Sequence, residues 1–237
     1  MMTAIILAGG LGTRLRSVVA DRPKPMALVR GQPFLKHLMD YWINQGVTEF
    51  VLSVGYLSSI VQEYFGSSYR KCRVIYSVEE QPLGTGGGML LAMQSISTDH
   101  PFLLLNGDTL FSVNLDKLKK FHAEKKSGCT FSLFRATEDN RYMGMDLDTS
   151  GRIVGLRSAK GVIGDLANGG VYLIDPTMMR TKYHCLGDKL SLESDIFSRL
   201  LSDGEAIYGM ECESPFIDIG VPDDYLRAST VVGVQGD

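Results

Sequence analysis

A run of glycines with an arginine beside it stands near the start of the chain: Leu7-Ala8-Gly9-Gly10-Leu11-Gly12-Thr13-Arg14-Leu15-Arg16. Three glycines in four positions let backbone N–H groups approach anionic oxygens without obstruction by a Cβ, and Thr13 and Arg14 add donors at the same place. A planar, permanently charged guanidinium beside such a loop suits phosphate, so the loop reads as a phosphate cradle. It is neither of two better-known phosphate loops. A dinucleotide fingerprint would need glycine at Leu15, and a P-loop would need Gly-Lys-Ser/Thr after four spacer residues. Lys24 follows between Pro23 and Pro25, which restrict its backbone as suits a lysine that must be held in place. Asp108, in Leu105-Asn106-Gly107-Asp108, closes an apolar run where an oxygen-seeking cation such as Mg²⁺ would meet substrate phosphates. A second glycine cluster, Gly84-Thr85-Gly86-Gly87-Gly88, is costly for an ordinary loop or helix start. Close approach of the backbone to a flat ligand is the expected reason.

These residues need a scaffold, and the hydrophobic pattern supplies one. Ala4 to Ala8 is a short, uniformly apolar run ended by glycine, which is how a strand buried on both faces reads. Phe34, Leu35, Leu38, Met39, Trp42 and Ile43 recur at helical spacing before Gly46. Phe50 to Val54 reads as a strand, and Leu57, Ile60, Val61, Tyr64 and Phe65 as a helix stopped by Gly66. Val74 to Val78 is a further strand, Met89 to Ile96 a helix, and Phe102 to Leu105 another buried strand. This alternation predicts an α/β fold, a Rossmann-like, mainly parallel sheet with helices on both faces.

After Asn114, which can cap a helix over Leu115 to Lys126, the rhythm changes. Short strand-like runs at Thr130 to Phe134, Met145 to Leu147, Ile153 to Leu156 and Val171 to Ile174 have only loops between several of them. Antiparallel additions to the sheet are therefore expected. Ser191 can cap a helix through Leu201, ended by Gly204. No linker, repeat or low-complexity segment interrupts the 237 residues, so one domain is expected over 1–237. The change of rhythm divides it into a first half over about 1–110 and a second over about 111–226, with a tail over 227–237.

Composition removes several classes of function. Hydrophobic residues make up 44% and charged residues 22%, as in ordinary globular chains. The formal net charge of -3 supplies no basic field for a nucleic-acid backbone. Cys72, Cys129, Cys185 and Cys212 are scattered, and His37, His100, His122 and His184 are isolated, so neither a zinc site nor a disulfide framework is signalled. The apolar run at the N-terminus is too short for a signal segment or a membrane span, so a cytoplasmic protein with no membrane partner is expected.

Taken together, the motifs resemble the sugar-1-phosphate nucleotidyltransferase superfamily, whose opening L-A-G-G-x-G-T-R-L is followed by P-K-P-x-x-x-V. The second element stands here as Pro23-Lys24-Pro25-Met26-Ala27-Leu28-Val29, and Ser77 to Gly88 resembles the nucleobase segment S-x-E-x-x-P-L-G-T-A/G-G. The resemblance spans roughly residues 3 to 226 and implies the nucleotide-diphospho-sugar transferase fold. It assigns Leu7, Ala8, Gly9, Gly10, Gly12, Thr13, Arg14, Glu79, Pro82, Gly84, Thr85 and Asp108 to the nucleotide. Arg14 and Lys24 would bind the NTP phosphates and the incoming sugar phosphate, and with Asp108 they form the implied catalytic set. Asp218, in Phe216-Ile217-Asp218-Ile219-Gly220-Val221-Pro222, resembles the D-I-G-T-P element and would be the second Mg²⁺ ligand beside Asp108.

On the sugar side, Asn168-Gly169-Gly170-Val171-Tyr172 resembles N-x-G-x-Y, and Ser191-Leu192-Glu193 resembles the following S-x-E. Asn168, Gly169 and Glu193 would thus meet the sugar. Two departures stand out. Ala159-Lys160 replaces the usual Glu-Lys, so Lys160 keeps its part while the acidic partner is missing. The usual Tyr-Gly is Tyr142-Met143, with Gly144 one position late. No left-handed β-helix tail is expected, unlike in longer relatives, and the chain most resembles the short guanylyltransferases acting on D-glycero-D-manno-heptose 1-phosphate.

The implied reaction joins GMP from GTP to that sugar 1-phosphate and releases pyrophosphate. Mannose 1-phosphate as acceptor, UTP or CTP as donor, and a non-catalytic regulator that binds nucleotide sugars are the alternatives. Homo-oligomerisation is left open. Guanine presents N1–H and the 2-amino group as adjacent donors to a carboxylate, whereas uracil offers one donor flanked by carbonyl acceptors, so the resemblance places the base reader at Glu79, with Glu80 or Gln81 as the alternatives if the loop register moves by a residue.

Overall fold

The computed structural model describes residues 2–10, 21–97, 99–139, 141–157, 161–183 and 187–232. Strand β1 (Thr3–Leu7) is followed by a short hairpin of β2 (Leu28–Val29) and β3 (Gln32–Pro33), which leads into α1 (Phe34–Asn44). Then come β4 (Glu49–Val54), α2 (Ser58–Phe65), β5 (Ser68–Tyr69), β6 (Cys72–Val78), α3 (Gly84–Met93) and β7 (Phe102–Asn106). Strands β7, β1, β4 and β6 lie side by side and parallel. Successive side chains of such strands point to opposite faces, so an apolar strand feeds two cores. Ala4 and Ile6 of β1 join one core, with Phe34, Leu38 and Trp42 of α1. Ile5 joins the other, with Met89, Ala92 and Met93 of α3.

The remaining chain adds β8 (Thr109–Phe111), α4 (Leu115–Lys125), β9 (Cys129–Arg135), β10 (Gly144–Leu147), β11 (Ile153–Arg157), β12 (Leu166–Ile174) and α5 (Pro176–Lys182). A π-helical turn over Leu192–Phe197 runs into α6 (Ser198–Ser202), and β13 (Ile207–Glu211), β14 (Phe216–Asp218) and α7 (Pro222–Val231) complete the described chain. Strand β12 is antiparallel to β7 on one side and to β9 on the other, and β10 and β11 extend the sheet further. The result is a mixed sheet with parallel central strands and helices on both faces, as the alternation of apolar runs predicts.

The expected caps form. Asn114 accepts from the Lys117 N–H at 2.9 Å, and Ser191 from the Ser194 N–H at 3.2 Å. Ser191 opens the π-helical turn rather than an α-helix: its carbonyl accepts from the Ile196 N–H at 3.1 Å, a bond of i→i+5 type.

Helix α3 begins at Gly84, not at Met89. Glycine disfavours a helix by about 1 kcal/mol per residue relative to alanine, so a tertiary reason is required. A Cβ on Gly87 would stand 2.5 Å from the Asp188 carbonyl oxygen, and one on Gly86 2.9 Å from Ile196 Cδ1. The N–H groups of Gly86 and Gly87 both donate to the Leu190 carbonyl, at 2.8 and 3.3 Å. The glycine cluster therefore serves chiefly close packing of this helix on the 188–196 segment. At Gly86 and Gly87 the close approach is to the protein's own 188–196 segment rather than to a ligand.

Candidate active site

The site lies at the carboxyl ends of β1, β4 and β7, where parallel strands of an open sheet leave a crevice. These ends are pinned to one another. The Gly107 N–H donates to the Leu7 carbonyl at 2.9 Å, and the Ala8 N–H to the Ser53 carbonyl at 2.8 Å. Gly107 permits the first contact, since a Cβ there would stand 2.5 Å from the Leu7 carbonyl oxygen. Gly107→Ala is accordingly expected to cost roughly 1–3 kcal/mol of stability, because backbone cannot yield as a flexible side chain would. Denaturant unfolding at fixed pH measures it, and a loss below about 0.5 kcal/mol would contradict the packing argument.

Asp108 follows directly, and a second carboxylate reaches it from far along the chain. Strands β8 and β14 pair antiparallel with Thr109 opposite Asp218, and the Ile219 N–H donates to the Asp108 carbonyl at 2.9 Å. Lys24 sits in a single 3₁₀ turn, Lys24–Met26, after the extended Pro23. Its ammonium donates to Asp108 Oδ2. A Cβ built on Gly220 would lie 2.8 Å from Lys24 Nζ and 2.7 Å from Asp218 Oδ1, so the ammonium and both carboxylates converge beside that glycine. Burial raises the Asp218 carboxyl above its ordinary range, and the charge of Asp108 raises it further; Lys24 and the Gly220 N–H, which donates to Oδ1 at 2.6 Å, oppose the shift.

These groups open on a cavity of about 390 Å³, within the range of small-molecule sites. Leu7, Ala8, Gly9 and Gly10 line it from the end of β1; Glu79, Pro82, Gly84 and Thr85 from the segment entering α3; and Lys24, Asp108 and Asp218 from its floor. Every predicted nucleotide and metal residue among the described ones is thus on one surface. Gly12, Thr13, Arg14 and Lys160 lie outside the described residues. Glu79 is firmly held: Oε1 accepts from the Ser53 hydroxyl at 3.0 Å and Oε2 from the Leu83 N–H at 3.0 Å.

Of the residues predicted to meet the sugar phosphate or the sugar, Lys24 lines this cavity, while Asn168, Gly169, Glu193 and Gly144 do not. Asn168, Gly169 and Gly170 make a bulge in β12, marked by a register shift against β9 and by φ +68° at Gly170. The bulge lets the strand cross the end of β7, since a Cβ on Gly170 would stand 2.7 Å from Asn106 Nδ2. Asn168 Nδ2 donates to the Tyr172 hydroxyl at 2.7 Å, and Asn168 Oδ1 accepts from the Gly170 N–H at 3.1 Å. Burial raises the Tyr172 hydroxyl above its ordinary range, and the charges of Glu193 and Asp108 add to the shift. Thr85 ties the groups together, its hydroxyl accepting from the Leu192 N–H at 2.9 Å. Gly144 stands apart on β10, opposite Ala167 and against the Arg157 guanidinium. Tyr142 turns into an aromatic cluster, edge-on to Phe134 and Phe216.

A model of the family described as "Nucleotidyl transferase" matches residues 3–233. The chain belongs to that family. This nucleotidyl transferase is 37% identical to the D-glycero-alpha-D-manno-heptose 1-phosphate guanylyltransferase of Aneurinibacillus thermoaerophilus over 96% of each chain. It is 32% identical to the mannose-1-phosphate guanylyltransferase of Mycobacterium tuberculosis over 95% of its own length but 63% of that protein's. Its fold superposes with a TM-score of 0.84 on HddC from Yersinia pseudotuberculosis complexed with GMP-PN, at 31% identity, covering 97% of this chain and 99% of that one.

Sequence reasoning missed three residues that line the nucleotidyl transferase cavity: Pro25, Asn106 and Gly220. Each lies next to or within two residues of one it named, so motif spacing could have found them. Among the described residues no three carboxylates, histidines or cysteines converge as an all-protein metal cage. Two carboxylates facing an open cavity, one of them raised above its ordinary range by burial, are instead a donor set of the kind Mg²⁺ shares with substrate phosphates. Asp108 and Asp218 fit that ion.

Proposed function

We propose that the chain transfers GMP from GTP to D-glycero-α-D-manno-heptose 1-phosphate and releases pyrophosphate. The observation that carries this reading is the likeness to a heptose 1-phosphate guanylyltransferase across 96% of both chains. The cavity supports it, because its glycine-lined wall, its lysine and its two carboxylates suit a polyphosphate beside a divalent cation.

In the proposed reaction a sugar phosphate oxygen attacks the α-phosphorus of GTP. A new P–O bond forms there, the bond to the bridging oxygen of the β-phosphate breaks, and pyrophosphate departs with that electron pair. No protein nucleophile is required, because the sugar phosphate is ionised at neutral pH. The chain aligns two anions and neutralises their charge. Lys24 stands ready to exchange its Asp108 contact for a phosphate oxygen, and Arg14 has the same part by its motif. Asp108 and Asp218 would hold Mg²⁺, which when bound supplies positive charge to the reacting phosphates. Asn168, Gly169, Glu193, Lys160 and Gly144 are the proposed sugar-side residues. Among the described residues no helix is long and apolar enough to cross a membrane, and the proposed setting is the cytoplasm.

Pyrophosphate release measured over four NTPs and a panel of sugar 1-phosphates tests the reading. GTP with the manno-heptose phosphate is expected to give the highest kcat/KM. Preference for mannose 1-phosphate would move the acceptor, and preference for UTP would overturn the guanylyl assignment. In the same assay Glu79→Gln is expected to lower the GTP:UTP ratio roughly tenfold or more, because a donor amide replaces an acceptor facing guanine. An unchanged ratio would remove Glu79 from the base site.

A further inference from the structure

Glu79 is held between three pieces of chain: the end of β1, strand β4 and the start of α3. Its N–H donates to the Val54 carbonyl at 2.8 Å, continuing the register of β6 on β4. Ser53, wholly buried in β4 between Leu7 and Ser77, gives its hydroxyl proton to Oε1, and the Leu83 N–H meets Oε2. Glycines wall the same oxygen: a Cβ on Gly9 would stand 2.5 Å from Oε1, and one on Gly88 2.8 Å from Oε1 and 2.9 Å from Ser53 Oγ. Oε1 is therefore enclosed, while Oε2 keeps a lone pair beyond the one given to Leu83.

We infer that Ser53 is a positioning residue that sets nucleobase preference through Glu79. The inference rests on the proposed contact between Glu79 and the base. Both groups that meet the carboxylate act as donors, so the socket suits a side chain that only accepts. An amide at this position would have to present its NH₂ to one of them. The Leu83 N–H cannot accept, so the Ser53 hydroxyl would have to reverse its hydrogen and lose its own partner. The socket thus favours a carboxylate before any nucleotide arrives and aims one oxygen, Oε2, at a donor on the base. Guanine supplies such donors through N1–H and the 2-amino group. Ser53 touches no reacting atom, so its influence falls on binding and selection rather than on the chemical step.

The test measures kcat and KM for GTP and UTP in wild type, Ser53→Ala, Gly88→Ala and Glu79→Gln, with circular dichroism and melting curves for each. Ser53→Ala is expected to raise KM for GTP about tenfold, leave kcat within a factor of about two, and lower the GTP:UTP ratio about tenfold. Gly88→Ala, which wedges the pair apart from the other side, is expected to shift the ratio the same way and decides the matter if Ser53→Ala fails to fold. A collapsed ratio in Glu79→Gln with an unchanged ratio in Ser53→Ala, or in Gly88→Ala where that variant decides, overturns the socket while sparing the base contact. An unchanged ratio in Glu79→Gln overturns both. A fall in kcat alone in Ser53→Ala makes the serine structural and also overturns the inference.

Discussion

Asp108→Asn and Asp218→Asn are each expected to lower turnover by about two orders of magnitude or more, while Asp218→Asn raises the melting temperature of the ligand-free protein. The first effect follows from losing a proposed Mg²⁺ ligand beside the reacting phosphates. The second follows from the shifted carboxyl. Burial, and then the charge of Asp108, raise the Asp218 pKa in the folded chain above its unfolded value. A carboxyl raised in this way stabilises the fold while protonated, and that contribution is lost as pH rises through the folded pKa. Above that pH the ionised Asp218 is thus a cost that asparagine removes. Melting curves from pH 4 to 8 should show the gain of the variant over wild type growing with pH. Near-normal turnover in either variant would exclude that residue from the metal site, and a flat difference across pH would contradict the electrostatic account.

Lys24→Ala is expected to reduce kcat/KM by about two orders of magnitude, because the transition state loses a fixed cation beside two anions. Its effect on stability has the opposite sign to that of Asp218→Asn. Lys24 donates to Asp108 and lowers the Asp218 pKa, so its removal leaves the carboxylates less compensated and lowers the melting temperature at neutral pH. Combining Lys24→Ala with Asp218→Asn should restore the melting temperature without restoring activity. Residues that share partners depart from additivity in this way. If Lys24→Ala kept near-normal turnover and only melted earlier, the lysine would be structural.

The parallel half of the fold was legible because its strands are buried on both faces. The apolar runs of β1, β4 and β7 admit few other readings. Helix α3 was legible only from Met89 onward, because its glycine-rich first turns are set by packing on Asp188 and Leu190, which propensity cannot see. Helices α5 and α7 left usable signals that were passed over. Each carries proline at its first position, with Asp175 capping one and Asp223 and Asp224 in the first turn of the other. The short strands β8 and β14 have no local pattern at all, so Asp218 was legible through its motif and not through its element. The hold on Glu79 was hidden for a related reason: Gly9, Ser53, Leu83 and Gly88 meet only after three segments have packed.

The pairing of β8 with β14 also bears on how the enzyme is made. Asp108 is synthesised early, yet its companion carboxylate arrives more than a hundred residues later, close to the last described helix. A nascent chain still attached at residue 200 already carries the glycine loop, Lys24 and Glu79, and the parallel strands behind them can form as they emerge. It has only half of its acidic pair. Ribosome-bound chains of increasing length should therefore gain nucleotide-cleaving competence in one late step, once β14 has cleared the exit and closed on β8, and not in proportion to the length of chain released.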